Sequence, residues 1–273
     1  MWGIQQMTDG VPHYSRYEYD VKTKDYCVLI PIINEKGRIE KELERAVNSA
    51  VQEFADIIIC DGGSTDGCTD HDLLRTLKVN TLLVKEDKGK QGAQLRMGFD
   101  WALKRGYNGF ITIDGNNKDS IEDVPRFIDK LKEGYDFIQG SRFISGGKAI
   151  NTPLSRTVAV KMIHAPVISL TAHKKYTDTT NAFRGYSRNY INDERVDVFR
   201  DIFETYELLA YLSVRADQLK MKTCEIPVTR AYPKEGKTPT KIKGFKANWL
   251  LFKILMNNAF GKYKPEKNGN GKI

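Results

Sequence analysis

Short apolar runs alternate with amphipathic stretches through the first half of the chain, and no other feature narrows the fold so far. Tyr26-Cys27-Val28-Leu29-Ile30 has the make-up of a buried strand and stops at Pro31. Ile39, Leu43, Ala46, Val47, Ala50, Val51 and Phe54 then recur at helical spacing, with Glu and Lys between them. Further strands are expected over 56–60, 81–84, 110–113 and 136–139. Helices are expected over about 91–105 and from a Ser120 cap to about Glu133. Repeated strand–loop–helix units imply parallel pairing. The expected class is α/β: a Rossmann-like, mostly parallel central sheet with helices on both faces, plus a helical C-terminal extension.

Beyond residue 150 the alternation fades. Residues 157–172 form an apolar helical stretch interrupted by Pro166, and 204–215 again show helical spacing. A late strand is expected over 222–229. Residues 234–243 read as a basic loop containing Pro and Gly. An amphipathic helix over 244–260 carries Phe245, Trp249, Leu250, Phe252, Leu255, Met256 and Phe260. The chain thus divides into a loosely held N-terminal arm (1–24), a main domain (25–243) and a basic amphipathic helix with its tail (244–273).

With 273 residues, 40% of them hydrophobic, the chain has too much apolar content to stay disordered. No apolar run nears the roughly 18 residues of a membrane span; the nearest, 249–256, contains Lys253. The first 20 residues lack the basic-then-apolar pattern of a signal sequence. Cys27, Cys60, Cys68 and Cys224 have no metal-ligand spacing, so reduced thiols in a cytoplasmic protein are expected. Nor do His13, His71, His164 and His173 form a ligand cluster.

The net charge of +8 is unevenly spread. Residues 220–273 carry 13 Lys and Arg against 3 Asp and Glu, whereas residues 1–219 carry 30 against 32. A basic C-terminal quarter on a slightly acidic body suits an anionic partner, either a phosphorylated ligand or an anionic membrane surface. Signatures of nucleic-acid binding are missing, so no nucleic acid is expected.

In open α/β sheets, ligands bind beyond the carboxyl ends of the strands. Here those ends hold residues 31–35, 61–67, 85–92, 114–119 and 140–142, every one of them polar. A G-x-G-x-x-G after the first strand is absent, as is a Walker loop, so a nicotinamide enzyme and a P-loop NTPase are both excluded. Asp114-Gly115-Asn116 leaves a buried strand. An Asp in that place is positioned to ligate a hard cation, which in turn can bridge a diphosphate. Such an ion would neutralise the charge that develops when a sugar nucleotide loses its nucleoside diphosphate. A plain strand-ending turn favours the same residues.

Pro31-x-x-Asn34-Glu35, Asp61-Gly-Gly-Ser-Thr-Asp66-Gly67 and Asp114-x-Asn116, with the strand order between them, resemble family-2 glycosyltransferases of the GT-A fold. Gly140-Ser141-Arg142, Asp178-x-x-Asn181-x-Phe183-Arg184 and Glu225-Ile226-Pro227-Val228 are similar to the dolichyl-phosphate mannose synthase-like branch, which glycosylates polyprenyl phosphates. The resemblance covers roughly residues 25–245. It implies that Pro31, Asn34, Glu35, Gly115 and Asn116 line the nucleotide-sugar pocket and that Asp61 helps hold the nucleoside. Asp114 and Asn116 would bind a divalent metal, Mg²⁺ or Mn²⁺. Arg142, Arg184 and Lys241 would meet phosphate, with Ser141 and Asn181 orienting polar groups nearby. Three departures stand out: Gly62 follows Asp61 where the family often has a second Asp, Asn116 replaces the second acid of Asp-x-Asp, and Lys118 lies where a Gln commonly contacts the metal. The Lys118 ammonium can take over part of the metal's electrostatic role.

Acid strength separates the possible acceptors. An attacking sugar hydroxyl needs a carboxylate base, whereas a monophosphate, with a second pKa of about 6, is already anionic at neutral pH. The phosphate acceptor therefore calls for cations, for which Arg142, Arg184, Lys237 and Lys241 are candidates. For a hydroxyl acceptor the base would be Glu207 or Glu204, three apart on a predicted helix. The preferred expectation is inverting transfer from a nucleotide diphosphate-sugar to a polyprenyl phosphate by a peripheral protein at the cytoplasmic membrane face. The alternatives are transfer to a hydroxyl of a surface polysaccharide or glycolipid, and a nucleotide-binding module without catalysis. The oligomeric state stays open.

Overall fold

The computed structural model describes residues 9–233 and 244–266. The elements run β1 (Tyr14–Glu18), β2 (Tyr26–Ile32), α1 (Ile39–Asn48), β3 (Asp56–Asp61), α2 (His71–Thr76), β4 (Thr81–Lys85), α3 (Gln91–Lys104), β5 (Gly109–Thr112), α4 (Val124–Lys132) and β6 (Phe137–Ser141). There follow β7 (Lys148–Ile150), α5 (Leu154–Ala159), α6 (Ala165–Ala172), β8 (Arg184–Ser187), α7 (Arg188–Ile191), α8 (Glu207–Gln218), β9 (Thr223–Pro227), β10 (Thr229–Ala231) and α9 (Gly244–Ala259).

Eight strands make one sheet in the order β1-β4-β3-β2-β5-β8-β6-β9. Only β1 and β8 run antiparallel to their neighbours. Successive residues of β2 show why the strand sequences are apolar throughout. Cys27 and Leu29 enter one core with Phe99 of α3 and Leu212 of α8, while Val28 and Ile30 enter the other with Leu43 of α1 and Phe127 of α4. Side chains alternate across a strand, so a strand covered on both faces must be apolar at every position.

Several boundaries differ from expectation. Residues 14–18, assigned to a loose arm, form edge strand β1, with Tyr14 opposite Lys85 and Glu18 opposite Thr81. Without that pairing the outer edge of β4 would keep unmatched peptide groups. The first helix ends at Asn48, because Ala50 is left-handed (φ 54°) and redirects the chain into a short 3₁₀ turn, Val51–Glu53. The Ser120 hydroxyl caps no helix; it accepts from the Thr229 amide and donates to the Asp123 carboxylate. Strand β8 is not among the expected strands; it starts at Arg184, the last residue of the 178–184 motif. Between α5 and α6 lies a π turn, Val160–His164, just before Pro166. Proline has no amide proton to give an α-helical ladder, and a widened turn absorbs that loss.

The C-terminal helix lies on the body of the protein. Ile254 and Leu255 of α9 are buried and Asn258 Nδ2 donates to the Ala210 carbonyl of α8 at 2.7 Å. Its other side leaves Trp249, Leu250 and Phe252 exposed. A small two-stranded parallel sheet, β7–β10, stands beside the main one.

Candidate active site

Two loops at the carboxyl ends of β2 and β3 are knitted together. The Asn34 amide donates to Ser64 Oγ (2.9 Å), and Asn34 Oδ1 accepts from the Thr65 amide (2.8 Å). Asp66 accepts from the Lys36 amide at 2.9 Å. Asp61 is spent within its own loop, accepting the amides of Gly63 (3.0 Å) and Ser64 (2.9 Å) and the Ser64 hydroxyl (2.5 Å). It is buried, and these bonds shape the loop. Glu35 is buried and ion-paired with Arg38, and Pro31 is half-buried within β2. Gln94, on α3, donates to the carbonyls of Ile32 (2.6 Å) and Cys60 (2.7 Å), fixing the mouth between the two strands.

Beyond β5 the chain turns at Asp114. Its Oδ1 accepts from Gln91 Nε2 at the start of α3 (2.8 Å), and Oδ2 is shared by Asn116 Nδ2 and Arg230 Nη2, each at 3.3 Å. The Asp114 side chain remains 24% exposed. Gly115 is required next: a Cβ there would stand 2.4 Å from Ile32 Cγ2. Asn117 is left-handed (φ 56°), and its amide donates to buried Glu42 at 2.7 Å. Burial pushes the Glu42 carboxyl well above its ordinary range.

Behind Asp114 lies a buried cluster of charges. Asp119 is fully buried, which lifts it to about 6 against the pull of Arg230. The Arg230 guanidinium bonds Asp119 as well as Asp114. Burial works against its charge, but Asp119 and then Asp114 raise it above its ordinary value. Lys118 Nζ sits 5.0 Å from the Tyr232 ring centre, and burial followed by Arg230 holds that ammonium below its ordinary value. Arg156 Nη1, from α5, donates to the Tyr232 hydroxyl at 2.8 Å.

The residues expected to meet phosphate, farther along the same rim, are differently engaged. Arg142 makes a forked pair with Asp178 through Nε (2.6 Å) and Nη2 (2.8 Å), and its side chain is 2% exposed. Arg184 donates to the carbonyls of Asn181 (2.9 Å), Thr179 (3.0 Å) and Leu209 (2.6 Å) inside the core. Both cations tie chain segments together through these contacts. Ser141 Oγ pairs with Thr177 Oγ1 at 2.6 Å, and Asn181 Oδ1 accepts from the Phe183 amide at 3.1 Å. Lys237 and Lys241 lie outside the described residues. The carboxylate expected as a base is also occupied: Glu207 opens α8 and accepts from the Thr205 amide (2.6 Å) and hydroxyl (2.8 Å). Glu204 precedes the helix, so the two do not share a helical face.

Gln91, Arg156, Arg230 and Tyr232 join this cluster from outside the sequence motifs. No local motif marks them, since only the pairing of β10 with residues 118–119 brings Arg230 to Asp114. A weak signal did exist in Arg230 following the Glu225-Ile-Pro-Val run.

The oxygens present fit a divalent cation. Asp114 offers a partly exposed carboxylate, and Asn116 Oδ1 is buried without a hydrogen-bond partner. Mg²⁺ is commonly held by one or two protein oxygens, with substrate phosphates and water completing the shell. Among the described residues no three His, Cys, Asp or Glu side chains form an all-protein cage.

Residues 27–194 match the family model described as Glycosyl transferase family 2. The chain belongs to that family. It is 26% identical over 238 residues to a polyprenol monophosphomannose synthase of Mycolicibacterium smegmatis, covering 85% of this chain and 86% of the relative. It is 29% identical over 209 residues to an undecaprenyl-phosphate mannosyltransferase of Micrococcus luteus, covering 74% and 81%. Among solved structures, glucosyl-3-phosphoglycerate synthase of Mycobacterium tuberculosis, in complex with Mn²⁺, UDP and phosphoglyceric acid, superposes with a TM-score of 0.55 at 14% identity, covering 90% of this chain and 81% of that one. Mannosyl-3-phosphoglycerate synthase of Rubrobacter xylanophilus gives 0.56 at 11% identity, covering 90% and 78%. The GT-A architecture expected from the motifs is the one observed. Among the described residues no helix is long and apolar enough to cross a membrane.

Proposed function

We propose that this glycosyltransferase moves a sugar from a nucleoside diphosphate-sugar to a polyprenyl phosphate, with inversion at the anomeric carbon. The observation that carries the donor half is the Asp114 corner: a partly exposed carboxylate beside an unpartnered amide oxygen, at the mouth between three strand ends. Asp114 and Asn116 would hold Mg²⁺ or Mn²⁺, which when bound neutralises charge on the departing diphosphate. Gln91 holds Asp114 Oδ1 by a hydrogen bond, and Gly115 lets the turn pack close to β2. Arg230 and Lys118 add fixed positive charge behind the leaving group.

The acceptor half rests on where charge and apolar surface meet. An acceptor monophosphate needs no base, which suits a site whose candidate base, Glu207, is bound to its own turn. Arg156, partly buried and bonded to Tyr232, joins the Asp114 cluster to α5 and would meet that phosphate. Along α5, the π turn and α6, Leu154 (77%), Met162 (72%) and Leu170 (76%) stand exposed, and α9, which packs on α6, adds Trp249 and Phe252. Such a band, with basic residues nearby, suits a peripheral position on an anionic membrane, where a polyprenyl chain would be found. The relatives named for mannosyl transfer to polyprenyl carriers favour the same reading.

Incubation of the purified protein with radiolabelled UDP- and GDP-sugars, Mn²⁺ and undecaprenyl phosphate in detergent tests the proposal. Label extracted into organic solvent and released by mild acid is expected. Label that stays aqueous, or passes only to a glycan hydroxyl, contradicts it.

A further inference from the structure

We infer that Arg230 competes with a divalent cation for Asp114 Oδ2, so that metal enters the site together with the diphosphate and not ahead of it. The inference rests on the donor reading above and adds the device that orders binding. Arg230 cannot leave the site. Its strand β10 pairs with β7 on one side, and on the other the Ala231 amide donates to the Lys118 carbonyl at 2.8 Å. One end of the guanidinium is fastened to fully buried Asp119, and the other reaches Asp114 Oδ2 at the looser distance of 3.3 Å. A guanidinium keeps its charge at any physiological pH.

The charge balance then decides what can enter. Asp114 and Asp119 face Arg230 and Lys118, so the corner is close to neutral before any ligand arrives. A divalent cation arriving alone must displace Arg230 from Asp114 and remain beside two buried cations, and low local polarity strengthens that repulsion. A nucleoside diphosphate arriving with the ion brings the missing negative charge. The displaced guanidinium has somewhere to go as well, since Asp119 Oδ1 is buried with no hydrogen-bond partner. When Asp114 turns to the ion, Arg230 can close a forked pair on both Asp119 oxygens. Two arrangements of one side chain thus answer to the presence or absence of the ion and diphosphate.

Mn²⁺ binding to the full-length protein, followed by electron paramagnetic resonance, tests this without turnover. With Mn²⁺ alone, Arg230→Gln is expected to bind about tenfold tighter than wild type. Lys118→Met leaves the Asp119–Arg230 pair in place and is expected to tighten binding by a smaller factor, about threefold. Asp114→Asn should abolish the signal in either background, which identifies the ion's position. With UDP or GDP present, the gap between wild type and Arg230→Gln should narrow. Unchanged affinity for Mn²⁺ alone in folded Arg230→Gln would overturn the competition; should that variant not fold, unchanged affinity in Lys118→Met would do so. If wild type binds neither UDP nor GDP with Mn²⁺, the donor reading and the coupled entry fall, whereas the Mn²⁺-alone comparison still decides the competition at Asp114.

Discussion

Asp114 and Arg142 both follow a strand of the main sheet at the same edge, yet the first side chain is 24% exposed and the second only 2%. The half of the rim around β2, β3 and β5 binds its loops with short polar side chains and main-chain amides, and leaves the Asp114 carboxylate partly open to solvent. Around β6, β8 and β9 the charged motif residues turn inward: Arg142 to Asp178, Arg184 to three carbonyls, and Glu225 to the amides of Thr177 (2.9 Å) and Asp178 (3.2 Å). Burial raises Glu225 above its ordinary value, and those amide bonds pull against the rise. A charge that must meet a ligand has to be left incompletely paired, whereas a charge closed in a buried fork holds the backbone in place. One motif set therefore supplies both a partly open carboxylate and a closed frame beside it.

The largest effect that would test this contrast is on turnover. Asp114→Ala is expected to lower the transfer rate by about 10²–10³-fold with little change in melting temperature, measured side by side. A stability loss as large as the activity loss would remove the distinction. In the other half the order reverses. Arg142→Met strands Asp178 as an unpaired buried charge, and a loss of about 3–5 kcal/mol in urea unfolding is expected. If that variant were as stable as wild type and only its KM for lipid phosphate rose, Arg142 would belong to the site after all.

Gly115→Ala probes the seam between the halves. The added methyl meets Ile32 at 2.4 Å and Ile30 at 3.0 Å. A loss of about 1–3 kcal/mol is expected, with slower transfer because Asp114 is adjacent. Unfolding and rate measured on one preparation would check it. The smallest change in stability is expected outside the rim. Leu170→Glu should stay within about 0.5 kcal/mol of wild type while reducing cosedimentation with anionic vesicles; full vesicle binding would remove α6 from the membrane surface.

Strands β2 to β5 could be read from sequence because burial on both faces forces an uninterrupted apolar run, as in Val28 to Ile30. Strands β1 and β8 could not. Tyr14–Glu18 is polar and Arg184–Ser187 has four residues, and each is a strand only by virtue of a distant partner. The site followed the same rule. Asp114, Gly115 and Asn116 are neighbours in sequence and so announce themselves together, while Arg230 is brought to Asp114 across 116 positions by β10. Arg142 and Arg184 were visible as charges, but their type did not reveal whether a carboxylate, a carbonyl or a ligand would face them.

The decisive measurement is a crystal structure with a nucleoside diphosphate and Mn²⁺, with data collected at the manganese absorption edge. An anomalous peak bonded to Asp114, with both phosphates alongside it and Arg230 withdrawn toward Asp119, is the predicted result. Manganese and phosphates bound at another part of the molecule, with the Asp114–Arg230 pair intact, would contradict the account.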